Sequence, residues 1–201
     1  AGDNGVSVGS ALYVASQNIP DFKKKRLSNV YLGRDYGNRQ IEKCLKNIPN
    51  KHHFSNNIYD ETAKFIAQGK IVGWYQGKME FGPRALGNRS ILANPLRYEI
   101  KDIINSKVKH REWFRPFAGS VLLEEGHKYF KHFQESPFML KVFHFKKEFR
   151  NTFPAITHVD YSCRIQTVSK ENKMFYTLLR SKKEDWIWYS FKHFVKWQEN
   201  T

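Results

Sequence analysis

Glu80-Phe81-Gly82-Pro83-Arg84-Ala85-Leu86-Gly87-Asn88-Arg89-Ser90-Ile91 is the most informative stretch of this sequence. Gly82 and Gly87 bracket Pro83 and Arg84, so the backbone can turn sharply and approach a ligand closely. Arginine presents a planar fork that binds phosphate or carboxylate oxygens through paired hydrogen bonds. Arg84 and Arg89 are interleaved here with Gly, Pro and Asn rather than with acids, which argues against simple surface ion pairs.

On the N-terminal side, Ile71 to Gln76 reads as a strand and Asp60 to Gln68 as a short helix stopped by Gly69. Asn38 to Ile48 carries apolar residues at helical spacing. On the C-terminal side, Tyr98 to Val108 is helical by pattern and Gly119 to Leu123 is a strand. Glu125 to Phe133 reads as a short helix. Ile156 to Val159 and Arg164 to Val168 read as strands around a turn at Asp160-Tyr161-Ser162. Asn172 to Leu179 starts a helix. This alternation of short helices and strands predicts a mixed α/β domain. Near the N-terminus, Val6 to Ala15 is rich in small and apolar residues and predicts a buried helix. Ile19-Pro20-Asp21 and the basic run 23–26 read as a linker.

The basic residues form two further candidate groups. Lys109, Arg111 and Arg115, with Arg84 and Arg89, are expected to converge on a polyphosphate. His158 and Asp160, one residue apart, would share a face of a strand, as would Arg164 and Gln166. The bland reading of the first pair is a turn-stabilising Asp beside a half-buried His.

The 201 residues include 34 Lys and Arg against 19 Asp and Glu, a net charge of +15. Such a chain attracts polyanions: nucleic acid, a membrane surface, or small phosphorylated substrates. Hydrophobic residues at 40% support a packed core, which excludes wholesale disorder. No apolar run is long enough to span a membrane. The N-terminus has no signal-peptide pattern. Two cysteines make no disulfide framework, so a reducing, cytoplasmic setting is expected.

The run from Glu80 to Ile91 resembles the O-carbamoyltransferases of nodulation-factor and antibiotic biosynthesis. So do Gly2-Asp3-Asn4-Gly5, Arg115-Pro116-Phe117-Ala118, Ser136-Pro137-Phe138-Met139, Thr157-His158-Val159-Asp160 and Arg164-Ile165-Gln166-Thr167-Val168. The resemblance covers residues 1 to about 180. It implies that residues 1–27 are the C-terminal remnant of an actin-like, metal-binding transfer domain. Residues 28–180 would be a YrdC-like domain, a twisted mixed sheet with helices. That domain would make carbamoyl-adenylate from carbamoyl phosphate and ATP, for transfer to a hydroxyl of a sugar or natural product.

The resemblance gives Arg84, Arg89, His158 and Arg164 catalytic roles. Lys78, Gly82, Asn88, Ser90, Lys109, Arg111, Arg115 and Gln166 would bind substrate or nucleotide. Asp3 would complete a site for a divalent metal, iron or magnesium, whose partner histidines lie outside this sequence. Carbamoyl phosphate and ATP repel each other, and fixed guanidinium and ammonium groups would offset that repulsion.

The resemblance ends near Leu179. Residues 181–201 read as an aberrant tail holding three of the five tryptophans. Read one base later, the codons for Trp186, Trp188 and Trp197 become glycine codons, and the shifted frame restores the missing family segment. A frameshifted tail is expected to pack poorly. Two readings compete with a carbamoyltransferase: an RNA-binding, tRNA-modification module and an inactive gene remnant. No aromatic sheet motif or basic helical repeat favours nucleic acid.

Overall fold

The computed structural model describes residues 2, 4–23, 27–49, 52–181 and 188–189. The loop 76–88 closes a two-stranded antiparallel hairpin. Its strands are β1 (Val72–Tyr75) and β2 (Arg89–Leu92), in a register that pairs Val72 with Leu92 and Tyr75 with Arg89. The strand β2 follows directly on the glycine-rich run and was not read from its composition.

The hairpin is covered by two helices. In α3 (Ile58–Ala67), Thr62, Ala63 and Ile66 face inward. The chain leaves that helix through Gly69 at φ +84, as its position predicts. In α6 (Lys173–Arg180), Phe175, Tyr176, Leu178 and Leu179 are buried, and the Asn172 side chain caps the helix by accepting from the Phe175 amide at 3.2 Å. These residues pack with Trp74, Leu92 and Val168 into one apolar cluster.

The second sheet has the order β4-β5-β3-β6. Strands β3 (Gly119–Leu122) and β5 (Ser162–Val168) run parallel, with Ser120 opposite Gln166. The short β4 (Val142–His144) pairs antiparallel with β5, and β6 (Trp188–Tyr189) antiparallel with β3. The central position of β5 explains why six of its seven residues are buried. One face carries an aromatic core in which Phe130, Phe143, Phe145, Phe153 and Tyr129 meet, Phe145 and Phe153 stacked and the other pairs edge-on or tilted.

The remaining helices are α1 (Asn4–Asn18), α2 (Asn38–Leu45), α4 (Ile100–Ile103) and α5 (Gly126–Tyr129). The expected helix over 98–108 ends in a π-helical turn at Ile104–Val108. The helix α5 stops at Tyr129, earlier than predicted, because Phe130 turns extended and bridges Phe145. No helix among the described residues is long and apolar enough to cross a membrane.

Two expectations are corrected. Ile156 to Val159 is not a strand: the chain turns there, and the His158 amide donates to the Ser162 carbonyl at 2.8 Å. The helix α1 forms but is not buried, and Val6, Leu12, Tyr13 and Val14 are exposed. Of the tail, only Ser181 and the two residues of β6 are described, and β6 adds to the sheet through β3. The rest of the frameshift expectation lies outside the described residues.

Gly87 joins the loop to α6. It sits at φ +102, and a Cβ there would stand 2.3 Å from Cδ1 of the fully buried Phe175. Backbone strain and overpacking together make Gly87→Ala cost about 3 kcal/mol, or roughly 10 °C in Tm. Thermal melting checks this. A Tm within about 2 °C of the parent would mean that the loop does not need this conformation.

Candidate functional site

The loop 76–88 takes its shape from one carboxylate. Glu80 is 2% exposed, and its Oε1 accepts from the amides of Leu86 at 2.7 Å, Asn88 at 2.9 Å and Arg89 at 3.1 Å. Charge-assisted bonds of this kind are about twice as strong as neutral ones. Around this centre lies a chain of polar side chains. Trp74 Nε1 donates to Gln76 Oε1 at 2.9 Å. Gln76 Nε2 donates to Asn88 Oδ1 at 2.8 Å, and Asn88 Nδ2 donates to the Lys78 carbonyl at 2.7 Å.

The network reaches the second sheet through the Leu86 carbonyl. That oxygen accepts from the Tyr31 hydroxyl at 2.8 Å and from Gln166 Nε2 at 2.9 Å. Asn172, the cap of α6, donates to the Tyr31 hydroxyl at 2.6 Å, and Ser120 donates to Gln166 Oε1 at 3.2 Å. Burial pushes the Tyr31 phenol up to about 12; the Asn172 bond opposes the shift and the Glu80 charge adds to it. Tyr31 is therefore a neutral donor at ordinary pH. Hairpin, sheet, α6 and the 27–33 segment are thus fixed to one loop by side chains that are nearly all buried.

The expected cations separate into different roles. The Arg89 guanidinium donates to the carbonyls of Gln76 at 2.6 Å, Asn88 at 2.8 Å and Gly77 at 3.0 Å, and lies 3.5 Å from the Tyr75 ring centroid. It ties the loop together. Arg115 is paired with Glu112 at 2.9 Å on the surface. Lys78 is exposed, and its carbonyl serves the loop. Ser90 is buried and accepts from the Gly87 amide at 3.1 Å, while Gly82 is buried at φ +110. His158 Nδ1 stands 3.4 Å from Asp160 Oδ1 on an exposed turn, and the same oxygen accepts from the Ser162 amide. That is the turn-stabilising arrangement.

Two pairs of cations remain. Arg164 lies on β5, on the face of Gln166 and toward the loop. Burial first, and then the like charge of Arg84, lowers its pKa. Its Nε is buried with no hydrogen-bond acceptor, and among the described residues no carboxylate pairs with it or with Arg84. Arg84 also lines a groove of about 420 Å³ with Phe81, Pro83, Leu86, Phe138 and Leu140, and none of the other expected cations lines it. The single concave site expected for all the arginines is not what that groove shows.

The second pair is Lys109 and Arg111. Buried Asn105 organises their loop: its Nδ2 donates to the carbonyls of Trp113 and Arg115, and its Oδ1 accepts from Arg111 Nε at 2.7 Å. The Arg111 guanidinium covers the Phe117 ring at 4.7 Å. Burial, and then the Arg111 charge, lowers the Lys109 amine from 10.5 to about 8.

Asp3 lies outside the described residues. Among those described, no three His, Cys, Asp or Glu side chains gather as metal ligands. The residues that sequence reading passed over are Glu80, Tyr31, Gln76 and Asn172. Glu80 had one signal, a lone acid opening a run of Gly, Pro and Arg.

The family described as carbamoyltransferase C-terminus matches residues 63–187, and this chain belongs to that family. Nodulation protein NolO of Bradyrhizobium diazoefficiens is 42% identical over 182 residues, covering 88% of this chain and 33% of that protein. The 3′-hydroxymethylcephem-O-carbamoyltransferase of Amycolatopsis lactamdurans is 41% identical over 111 residues, covering 55% of this chain and 21% of that enzyme. The chain spans about a third of the length of the relatives that match most of it. A solved structure, full-length HypF in the phosphate- and nucleotide-bound form, has 18% identity and a TM-score of 0.46, over 74% of this chain and 18% of its own.

Lys109 generates a pH-dependent prediction. Its folded pKa of about 8 lies below its unfolded value, so the folded chain binds fewer protons between those limits. The cost of holding it charged is complete below pH 8 and is relieved as pH rises through that range. At pH 8, limiting acetic anhydride should acetylate Lys109 ahead of exposed lysines, read by mass spectrometry. Arg111→Gln removes the like charge, raises the Lys109 pKa and slows the labelling. Labelling of Lys109 at the rate of the exposed Lys107 in both proteins would contradict the assignment.

Proposed function

We propose that this chain is the part of an O-carbamoyltransferase that binds carbamoyl phosphate and ATP and forms carbamoyl-adenylate. In the complete enzyme that intermediate would deliver its carbamoyl group to a hydroxyl of a sugar or natural product. The observation that carries this reading is the Arg84–Arg164 pair. Two guanidinium groups repel each other, one has a buried donor without an acceptor, and no described acid neutralises them. A bound phosphate dianion removes that repulsion and supplies the missing acceptor.

Each neighbouring group has a physical role in this account. Glu80 fixes the loop and therefore the position of Arg84. Gln166 and Tyr31 hold the Leu86 carbonyl, so the backbone after Arg84 cannot shift when an anion arrives. Preorganised donors of this kind stabilise charge that develops on transferring phosphoryl oxygens without reorganising during the reaction. Lys109 and Arg111 form a second cationic position, suited to the phosphates of the nucleotide.

Calorimetric titration with carbamoyl phosphate tests the assignment. Arg84→Gln and Arg164→Gln should each weaken binding by about tenfold or more, the worth of a charge-assisted contact. Arg115→Gln, whose parent side chain is paired with Glu112, should weaken it less than about twofold. Equal effects at Arg115 and Arg164 would mean that only general charge is being read, and the proposed site would be wrong.

A further inference from the structure

A second cationic cavity lies at the β4 edge of the sheet, where its wall residue Val142 stands opposite Arg164 in the β4–β5 register. It has a volume of about 700 Å³, and its charged or imidazole-bearing walls are Lys131, His132, Lys141, His144, Arg150 and Asp160. Three permanent cations therefore face one acid. That acid is already engaged: Asp160 Oδ1 accepts from the Ser162 amide at 2.9 Å and stands 3.4 Å from His158. The volume falls in the range of small-molecule sites.

The walls are built rather than loosely apposed. The Lys131 amide donates to the His144 carbonyl at 2.9 Å, and the Phe145 amide to the Tyr161 carbonyl at 3.0 Å. Lys141 Nζ is held by Gln134 Oε1 at 2.6 Å. The Arg150 guanidinium is set over the Tyr161 ring at 4.7 Å, and its Nε is buried with no hydrogen-bond acceptor. A buried guanidinium donor without an acceptor is costly, and a ligand oxygen would relieve it. His132 and Tyr161 both line the cavity in the left-handed backbone region, at φ 47 and φ 62. Strained non-glycine residues of this kind concentrate at ligand sites.

From this geometry we infer that the cavity bounded by Lys131, Lys141 and Arg150 binds a small phosphorylated organic molecule. Three cations around one cavity match a phosphate dianion better than a single carboxylate. Val142, Phe143 and the Tyr161 ring supply apolar wall for an organic body. This ligand is additional to the carbamoyl phosphate assigned to the Arg84–Arg164 pair, and the inference does not depend on that assignment.

The experiment is a site-resolved titration of the full chain by NMR, following the ring signals of His132 and His144. Glucose 6-phosphate and inorganic pyrophosphate serve as phosphate probes, and glucuronate as the carboxylate probe. Both phosphates should shift the two imidazoles, and glucuronate should bind about tenfold more weakly. Arg150→Gln should weaken phosphate binding here by about tenfold while leaving carbamoyl phosphate binding unchanged. Should that variant fail to fold, the exposed pair Lys131→Gln and Lys141→Gln carries the same expectation. Unchanged affinity in these variants, equal binding of glucuronate, or perturbation confined to residues around Arg164 would each overturn the proposal. Failure of the carbamoyl phosphate titration alone would leave these signals intact, so the two readings fall separately.

Discussion

The Glu80 carboxylate sets the geometry from which the candidate site follows. One buried oxygen gathers three backbone amides from a segment that would otherwise be a floppy glycine-rich connection. With that oxygen in place, Gly87 is forced into its left-handed conformation against Phe175. Asn88 turns inward to Gln76, and Arg89 folds back across the loop carbonyls. Arg84 is then the cation left at the rim, opposite Arg164 on β5. A basic sequence thus uses one of its few acids to aim its arginines.

The same constraint explains why net charge is a poor guide here. Of the cations expected in the site, Arg89 binds the chain's own carbonyls and Arg115 binds Glu112. Arg164 differs because burial and the like charge of the exposed Arg84 leave its guanidinium poorly satisfied by protein alone. An anion site is defined by this local imbalance, since exposed charges are screened by solvent and salt.

Much of the fold was legible in the sequence, and for identifiable reasons. The helices at 58–67 and 173–180 announce themselves by spacing and by Gly69 and Asn172 at their ends. The strands β1, β3 and most of β5 announce themselves as short runs bounded by turn residues. The failures have physical causes. Residues 156–159 have strand composition but are captured by a turn closed through Asp160. The helix α1 has core composition, yet among the described residues nothing covers its outward face. The arginines were visible as candidates, but their roles depend on acceptors far away in sequence: Leu86 meets Gln166, and Tyr31 meets Asn172. No local pattern announces such pairings.

The most direct test of the account is carbamoyl phosphate affinity in Glu80→Gln. This change keeps the side-chain shape and removes the charge that orders Leu86, Asn88 and Arg89. Because it acts at the loop and touches no ligand, it separates loop ordering from direct contact. The account predicts a loss of about 2 kcal/mol of stability from the weakened amide bonds. It also predicts a fall in affinity approaching that of Arg84→Gln, about tenfold. A Glu80→Gln protein that binds carbamoyl phosphate as the parent does would show that Arg84 is positioned by something else, and would contradict the central claim.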